Sequence, residues 1–227
     1  MTSARATPAL PPTVVLLHGL ARRAGSLARL GRALTAAGFP VWACDYPSRR
    51  TGIAAAAAAI ADRLAEELPD RPLAAVTHSL GGIVVRHLGD PRLRWQRIVM
   101  LAPPNRGSQV AAAFAGNRLF GWFYGPAGRE LGGTIDPTTW PPPPAPCAVI
   151  AGTRRRAMIN LTSWVSHRVF AAGVEHDGTV AVDETRLDGM GGFAEVDATH
   201  TWIMNDQKVQ ALAISFLREG AFSAVTT

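Results

Sequence analysis

The stretch Val76-Thr77-His78-Ser79-Leu80-Gly81-Gly82 decides the fold, because it joins an apolar strand pattern directly to an apolar helix pattern. Residues 73–77 (LAAVT) indicate a buried strand, and residues 80–88 indicate a helix with an apolar inward face. A serine at such a tight strand-to-helix turn has its hydroxyl raised above the sheet, and small neighbours let the turn close. The pattern G-x-S-x-G is matched except that Thr77 replaces the first glycine. The stretch therefore predicts Ser79 as a nucleophile.

On both sides of this turn, apolar runs alternate with amphipathic helical stretches. Continuously apolar strands separated by helices are typical of a parallel sheet that is covered on both faces. The sequence therefore predicts an α/β fold with a mostly parallel six-stranded sheet, in a single domain that spans residues 1–227. The predicted strands are residues 13–17, 40–44, 73–77, 97–101, 147–151 and 193–197, and the predicted helices are residues 26–37, 53–68, 80–88 and 206–218.

The long connection between the fourth and fifth predicted strands has helical and proline-rich parts but no strand pattern. Because so long a connection inside a compact α/β domain is usually functional, residues 105–144 are predicted to form a cap or lid-like insertion. Within it, residues 119–124 (LFGWFY) form an apolar cluster that either packs in the core or lines the inner face of a lid. The candidate pocket and lid residues in this insertion are Asn105, Phe120, Trp122 and Phe123.

The sequence has six histidines that are candidates for the general base. A serine hydroxyl is a weak nucleophile near neutral pH and needs an adjacent base, for which histidine titrates in the right range. His200 directly follows the last predicted strand, at the rim where α/β sheets place their chemistry, and is the predicted base. The side chain of His78 is expected to diverge from that of Ser79 at the sharp turn. The other candidates lie too far along a helix or in polar connections: His87, His167 and His176.

Five short motifs are spread along nearly all of the chain: LLHG at 16–19, THSLGG at 77–82, LAPPNRGS at 101–108, HDGTV at 176–180 and DATHTWIM at 197–204. On these motifs the chain resembles the α/β-hydrolase family, and within it the small bacterial lipase- and esterase-like members. The resemblance implies a triad in the chain order Ser, Asp, His. It also implies an oxyanion hole formed by the backbone N–H groups of Leu20 and Leu80, with His18 shaping the loop after the first strand. His18 is in addition a candidate pocket residue.

The third member of the triad must orient the imidazole and stabilise its charged form. Asp177 follows the fifth predicted strand, and the loop before it is long enough to reach the rim of the sheet. The Asp-Gly pair is also common in ordinary turns. The DGxV pattern of the family favours Asp177 as the orienting residue over its rivals, which are Asp183, Asp188 and Asp197.

Composition excludes several other classes of protein. A hydrophobic content of 48% with 18% charged residues rules out a disordered chain, and no apolar run approaches the roughly 20 residues that span a bilayer. The net charge of +6 raises nucleic acid as a partner, but the basic residues are scattered and no aromatic residues are interleaved with them. Residues 19–23 (GLARR) lack the glycine fingerprint of a dinucleotide-binding turn. We therefore expect no nucleic-acid partner, no integral membrane association and, without an apolar signal segment in residues 1–12, a cytoplasmic location.

The function that these features predict is hydrolysis of a carboxylic ester through an acyl-enzyme on Ser79, with no cofactor and no metal. The expected partner is a small-molecule ester, which could be lipid-like. The same triad supports thioester hydrolysis, amide hydrolysis and acyl transfer, and a fold does not choose among them. A hydrolase-fold protein that binds without cleaving is a further alternative, although such proteins usually lose a triad member. The natural substrate and the oligomeric state stay open at this point.

Overall fold

Six parallel strands form one sheet at the centre of the protein in its computed structural model. The structure describes residues 10–114, 116, 118–155 and 169–223, and for residues 118–121 and 123 it describes the backbone alone. The strands are β1 (Thr13–Leu17), β2 (Val41–Ala43), β3 (Pro72–His78), β4 (Arg94–Leu101), β5 (Cys147–Gly152) and β6 (Gly192–Val196). Their order is β2-β1-β3-β4-β5-β6, and each neighbouring pair is parallel. The predicted fold class is therefore confirmed.

The observed strands differ from the predicted ones mainly at their ends. β4 begins at Arg94, three residues earlier than predicted, and pairs there with the start of β3. The difference arises because only the second half of β4, residues 98–101, is fully buried. A hydrophobic pattern marks the buried part of a strand, whereas the ladder of backbone hydrogen bonds continues beyond it.

Helices cover both faces of the sheet. In β1, Val14 and Leu16 belong to one core cluster and Val15 and Leu17 to another, as expected from the alternation of side chains along a strand. The first cluster packs against α1 (Ala28–Ala36) and the C-terminal helix α7 (Gln207–Glu219), and the second packs against α2 (Ile53–Glu67) and α3 (Leu80–Arg86).

The connection from β4 to β5 is helical in most of its described part. Its elements are α4 (Gln109–Phe114), α5 (Arg118–Arg129), a π-helical turn (Glu130–Thr134) and a 3-10 turn (Pro137–Thr139). The Glu130 carboxylate accepts a hydrogen bond of 2.9 Å from the N–H of Ile53, where α2 begins, and a negative charge is favourable at that end of a helix. Gly125 has a φ of 67° and lies so close to the Arg49 carbonyl that a Cβ would overlap it. These contacts tie the second half of the insertion to the sheet domain.

The connection from β5 to β6 carries the short helix α6 (Val182–Thr185), and a 3-10 turn (Ile203–Asn205) precedes α7. Both connections leave the carboxyl ends of their strands. In a parallel sheet all carboxyl ends lie at one edge, so the loops after β1, β3, β5 and β6 meet at the same side of the molecule.

Candidate active site

The turn that carries Ser79 is held in a rare backbone conformation. Ser79 has φ 52° and ψ −121°, in a region that costs a non-glycine residue about 1–3 kcal/mol. Its N–H donates a hydrogen bond of 2.9 Å to the carbonyl of Leu101 at the end of β4, and α3 begins at the next residue. The strand behind it and the helix ahead of it therefore hold the turn in place.

Two glycines let α3 start close to the sheet. A Cβ on Gly81 would overlap the carbonyl oxygen of Leu17, and a Cβ on Gly82 would lie 2.7 Å from the Cβ of Pro103. Thr77, which replaces the first glycine of the motif, is fully buried at the end of β3. The close approach needed for this turn is thus supplied from the helix side, as the two adjacent glycines suggest.

The structure brings Ser79, His200 and Asp177 together in one chain of hydrogen bonds. His200 Nδ1 lies 2.7 Å from Asp177 Oδ2, and His200 Nε2 lies 3.0 Å from Ser79 Oγ. Because a carboxylate only accepts hydrogen bonds, the ring proton is on Nδ1, which donates a hydrogen bond to Asp177. Nε2 then accepts the hydrogen bond of the serine hydroxyl. In this arrangement the imidazole is able to take the hydroxyl proton as the oxygen attacks.

Asp177 is fixed from several sides. Its Oδ1 accepts hydrogen bonds from the N–H groups of Thr179 at 2.9 Å and Val180 at 2.8 Å, and the residue is 2% exposed. Its carbonyl accepts a hydrogen bond of 2.9 Å from the N–H of His200, so the two loops are joined through the backbone as well. Gly152, at the end of β5, leaves room for this meeting, since a Cβ there would lie 2.9 Å from the Cβ of Asp177.

The rival aspartates lie at the surface and pair with arginines. The exposed fractions of these side chains are 90% for Asp183, 100% for Asp188 and 74% for Asp197. Among the other histidines, His176 is buried, accepts a hydrogen bond from the Gly178 N–H and contacts Phe170, with the two rings tilted by 32°, whereas His167 lies outside the described residues.

His18 shapes the loop after β1 without lining the cavity at the site. Its Nδ1 donates to the carbonyl of Gly19 at 2.9 Å, and its Nε2 accepts a hydrogen bond from the Tyr46 N–H at 3.3 Å. The rings of His18 and Tyr46 stack with 4.1 Å between centroids, and the Tyr46 hydroxyl also donates to the His18 carbonyl. Burial lowers the pKa of His18, so the ring is neutral, as these hydrogen bonds require.

The backbone N–H groups of Leu20 and Leu80 remain available for a ligand. No described residue accepts a hydrogen bond from either group. Leu80 is the first residue of α3, where N–H groups have no acceptor within the helix. Next to Leu20, the Ala21 N–H is fixed by a hydrogen bond of 3.2 Å to Ser48 Oγ. Donors that are already held in place can stabilise a negative charge without further reorganisation.

His78 has a role that the sequence does not reveal. Its Nε2 donates a hydrogen bond of 2.9 Å to the carbonyl of His200, and the two rings lie 4.9 Å apart. Burial holds the pKa of His78 well below the usual histidine range, and the nearby positive charge of Arg22 lowers it further. His78 therefore stays neutral and supports the loop that carries His200. No local pattern predicts this contact, because the two residues are 122 positions apart.

A cavity of about 460 Å³ opens beside these groups. Most of its wall is apolar or backbone, with a few hydroxyl groups and one guanidinium among them. It is lined by Gly19, Leu20, Ala21, Arg22, His78, Ser108, Val110, Ala111, Tyr124, Leu131, Thr179, His200 and Thr201. The described part of the cavity wall therefore includes the loop after β1, the His200 loop and part of the insertion.

Asn105 and Trp122, two of the candidate pocket residues of the insertion, do not line this cavity. Asn105 is buried, and its side-chain amide donates to the Thr185 carbonyl at 2.9 Å while its backbone carbonyl accepts from Arg86 at 3.2 Å. Trp122 is 79% exposed, so it lies neither in the core nor on the inner face of a lid. Tyr124 lines the cavity instead. The side chains of Phe120 and Phe123 lie outside the described residues.

No helix in the described part of the chain is both long and apolar enough to cross a membrane. No group of three or more His, Cys, Asp or Glu side chains in the same residues has the arrangement of a metal site.

The sheet order, the strained serine turn and the Ser-His-Asp chain together define the class of protein. Residues 14–213 match the family model of the alpha/beta hydrolase family, and the chain belongs to this family. The resemblance noted from the five sequence motifs is therefore confirmed. No curated protein sequence matches the chain.

Solved structures of similar fold include several hydrolases. The mature lipase BlEst2 of Bacillus licheniformis superposes with a TM-score of 0.68 at 19% identity, over 88% of this chain and 89% of the lipase. A metagenomic carboxyl esterase superposes with a TM-score of 0.60 at 19% identity, over 88% of this chain and 69% of the esterase. The phospholipase PlaB of Legionella pneumophila superposes with a TM-score of 0.56 at 18% identity, over 77% of this chain and 45% of the phospholipase. At these identities the likeness shows the fold.

Replacing Gly19 with alanine tests the packing of the site. A Cβ on Gly19 would lie 2.8 Å from His78 Nδ1 and 3.2 Å from the Cβ of Ser79, and the His78 ring is held by His200. We expect Gly19→Ala to lower the free energy of unfolding by about 1–3 kcal/mol, as overpacking typically does. The control is Gly25→Ala, because no atom lies within 4 Å of a Cβ built there. Urea denaturation of both variants gives the comparison, and equal stabilities would contradict this packing.

Proposed function

We propose that this protein is a serine hydrolase that cleaves carboxylic esters. In this proposal Ser79 is the nucleophile, His200 the general base and Asp177 the residue that orients the base. The observation that carries the proposal is the continuous chain of hydrogen bonds from Asp177 through His200 to Ser79, at the edge of a cavity large enough for a small ester.

The mechanism follows from the orientation of the imidazole. As Ser79 Oγ attacks the ester carbonyl, Nε2 of His200 takes the hydroxyl proton and then gives it to the departing alcohol. Asp177 accepts the Nδ1 hydrogen bond and stabilises the imidazolium that forms between these steps. An acyl group is left on Ser79, and a water molecule activated by His200 then releases it as the carboxylic acid.

The negative charge on the carbonyl oxygen needs donors during both steps. In the proposed mechanism these are the backbone N–H groups of Leu20 and Leu80, which have no acceptor among the described residues. Loss of one such donor typically costs about 2.7–4 kcal/mol of transition-state stabilisation in hydrolases. Substituting the side chain of Leu20 or Leu80 leaves the backbone N–H in place, so such variants do not test these donors.

We also propose that residues 105–144 act as a cap over the cavity. Ser108, Val110, Ala111, Tyr124 and Leu131 of this segment line the same cavity as His200. An apolar wall suits the acyl or alcohol chain of an ester, and a cover that excludes water strengthens the electrostatic interactions at the oxyanion. The lipase and esterase of similar fold favour an ester as the substrate.

Thioester hydrolysis, amide hydrolysis and acyl transfer use the same three residues. Comparing matched oxygen esters, thioesters and amides of one acyl group would rank these activities directly. A binding protein without activity is disfavoured, because the hydrogen bonds that activate a serine nucleophile are all present.

Replacing Ser79 with alanine is expected to lower kcat/KM for 4-nitrophenyl butyrate by more than about 1,000-fold. The reason is that the Ser79 hydroxyl is the group hydrogen-bonded to His200 Nε2. Thermal stability should not fall, since the strained turn is held by the backbone and not by the hydroxyl. The control is Ser215→Ala on α7, whose hydroxyl donates to the Ala221 carbonyl far from the cavity. Activity of the Ser79 variant within about tenfold of the unmodified protein would contradict the assignment.

The pH dependence follows from the need for a neutral base. A protonated imidazole has no lone pair for the Ser79 proton, so kcat/KM should rise with pH along a single ionisation and then level off. A profile that is flat or falling between about pH 5 and about pH 9 would exclude a Ser-His mechanism.

A further inference from the structure

Arg22 is the one permanently charged side chain among the described residues that line the active-site cavity. It follows the loop that carries the Leu20 N–H, and its own N–H closes that turn on the Gly19 carbonyl at 3.2 Å. The residue is half-buried. The positive charge of Arg22 acts on the neighbouring histidines, since it contributes, after burial, to lowering the pKa of both His18 and His78.

A comparison with Arg86 shows what is unusual about Arg22. Burial lowers the pKa of both guanidinium groups. Arg86 is compensated by hydrogen bonds to the carbonyls of Pro141 at 2.7 Å, Trp140 at 2.8 Å and Asn105 at 3.2 Å. For the Arg22 side chain, no hydrogen-bond acceptor and no carboxylate within 4.0 Å is found among the described residues. A partly desolvated cation without a partner is unfavourable in a stable fold and is typical of a ligand-binding position.

The surroundings of Arg22 are basic on its other side as well. A second cavity of about 450 Å³ adjoins the first, and Arg22 is part of the wall of both. The second cavity is lined by Ala21, Arg22, Arg23, Asp45, Tyr46, Pro47, Ser48, Arg49 and Arg50. Four of these residues are arginines, and one is acidic. That one, Asp45, is partly engaged, because its Oδ1 accepts a hydrogen bond of 2.6 Å from the Ala24 N–H.

We propose that Arg22 binds an anionic group of the substrate, a carboxylate or a phosphate, and so makes the site selective for esters that carry a negative charge. This inference rests on the proposed ester hydrolysis. A guanidinium presents a planar set of donors that matches two oxygens of a carboxylate or a phosphate. An anionic ester would give this guanidinium a charge-assisted partner that it lacks among the described residues.

In this proposal the apolar residues of the cavity and the Arg22 guanidinium bind different parts of the ester. Val110, Ala111 and Leu131 contact the hydrocarbon part of the ester, while Arg22 fixes its charged end. A neutral ester of the same length would leave the guanidinium unpaired in a site that it has partly dehydrated. Selectivity then comes from the unfavourable state of the unmatched charge as well as from the new pair.

The experiment compares kcat/KM for matched esters in the full chain. One series has 4-nitrophenyl esters whose acyl chain ends in a methyl, a carboxylate or a phosphonate group, and a second series carries the same groups on the alcohol of butyrate esters. We expect at least one anionic ester to be preferred over its neutral match. In Arg22→Gln this ratio of kcat/KM values should fall at least tenfold. The carboxylate and phosphonate members show which of the two anions the site takes.

The matched control is Arg29→Gln on the exposed face of α1, which removes the same charge without touching either cavity. It should keep the preference of the unmodified protein, because the effect is local and not a consequence of net charge. A ratio of kcat/KM values that is unchanged in Arg22→Gln, or that falls equally in Arg29→Gln, overturns the inference. In that case Ser79-dependent turnover of the neutral esters still supports the proposed function. Absence of Ser79-dependent turnover of every ester overturns both. Poor folding of the variant lowers kcat/KM for all esters by the same factor, so it does not change the ratio between the anionic and the neutral ester.

Discussion

The hydrogen bond from His200 Nδ1 to Asp177 is the interaction on which the rest of the site depends. It fixes the proton on Nδ1, and only then does Nε2 face Ser79 as an acceptor. The carboxylate can hold this position because two backbone N–H groups occupy its other oxygen and the whole residue is buried. If the ring turned over or the loop moved by one hydrogen-bond length, Ser79 would lose its proton acceptor.

The sheet supplies the framework that makes this hydrogen bond possible. Parallel order places the ends of β3, β5 and β6 at the same edge of the sheet, with β4 between β3 and β5, so that Ser79, Asp177 and His200 meet there although they are far apart in sequence. Glycine allows the loops to pack at close range, with Gly152 under Asp177 and Gly19 against His78. The result is a rigid set of groups whose geometry exists before any substrate arrives.

The sequence predicted the parts of this architecture that have a local signature. Buried strands are visible as apolar runs, and the serine turn and the loops after β5 and β6 carry short motifs. Asn105 could not be placed in this way, because its burial depends on Arg86 on a different element. Trp122 and Tyr124 belong to one apolar cluster, but residues two apart on a helix point about 200° apart, so one faces solvent and the other faces the cavity. The support that His78 gives to the His200 loop depends on tertiary contact alone.

The central claim is that Ser79 is an activated nucleophile, and covalent labelling measures this most directly. In the reaction of a fluorophosphonate with such a serine, Oγ attacks phosphorus and displaces fluoride while the base takes the hydroxyl proton, which leaves a phosphonyl group on Oγ. Mass spectrometry of the digested protein should find a single label, on Ser79, and labelling of His200→Ala should be slower by orders of magnitude. A folded protein that takes up no label, or that carries it on another serine, would contradict the account.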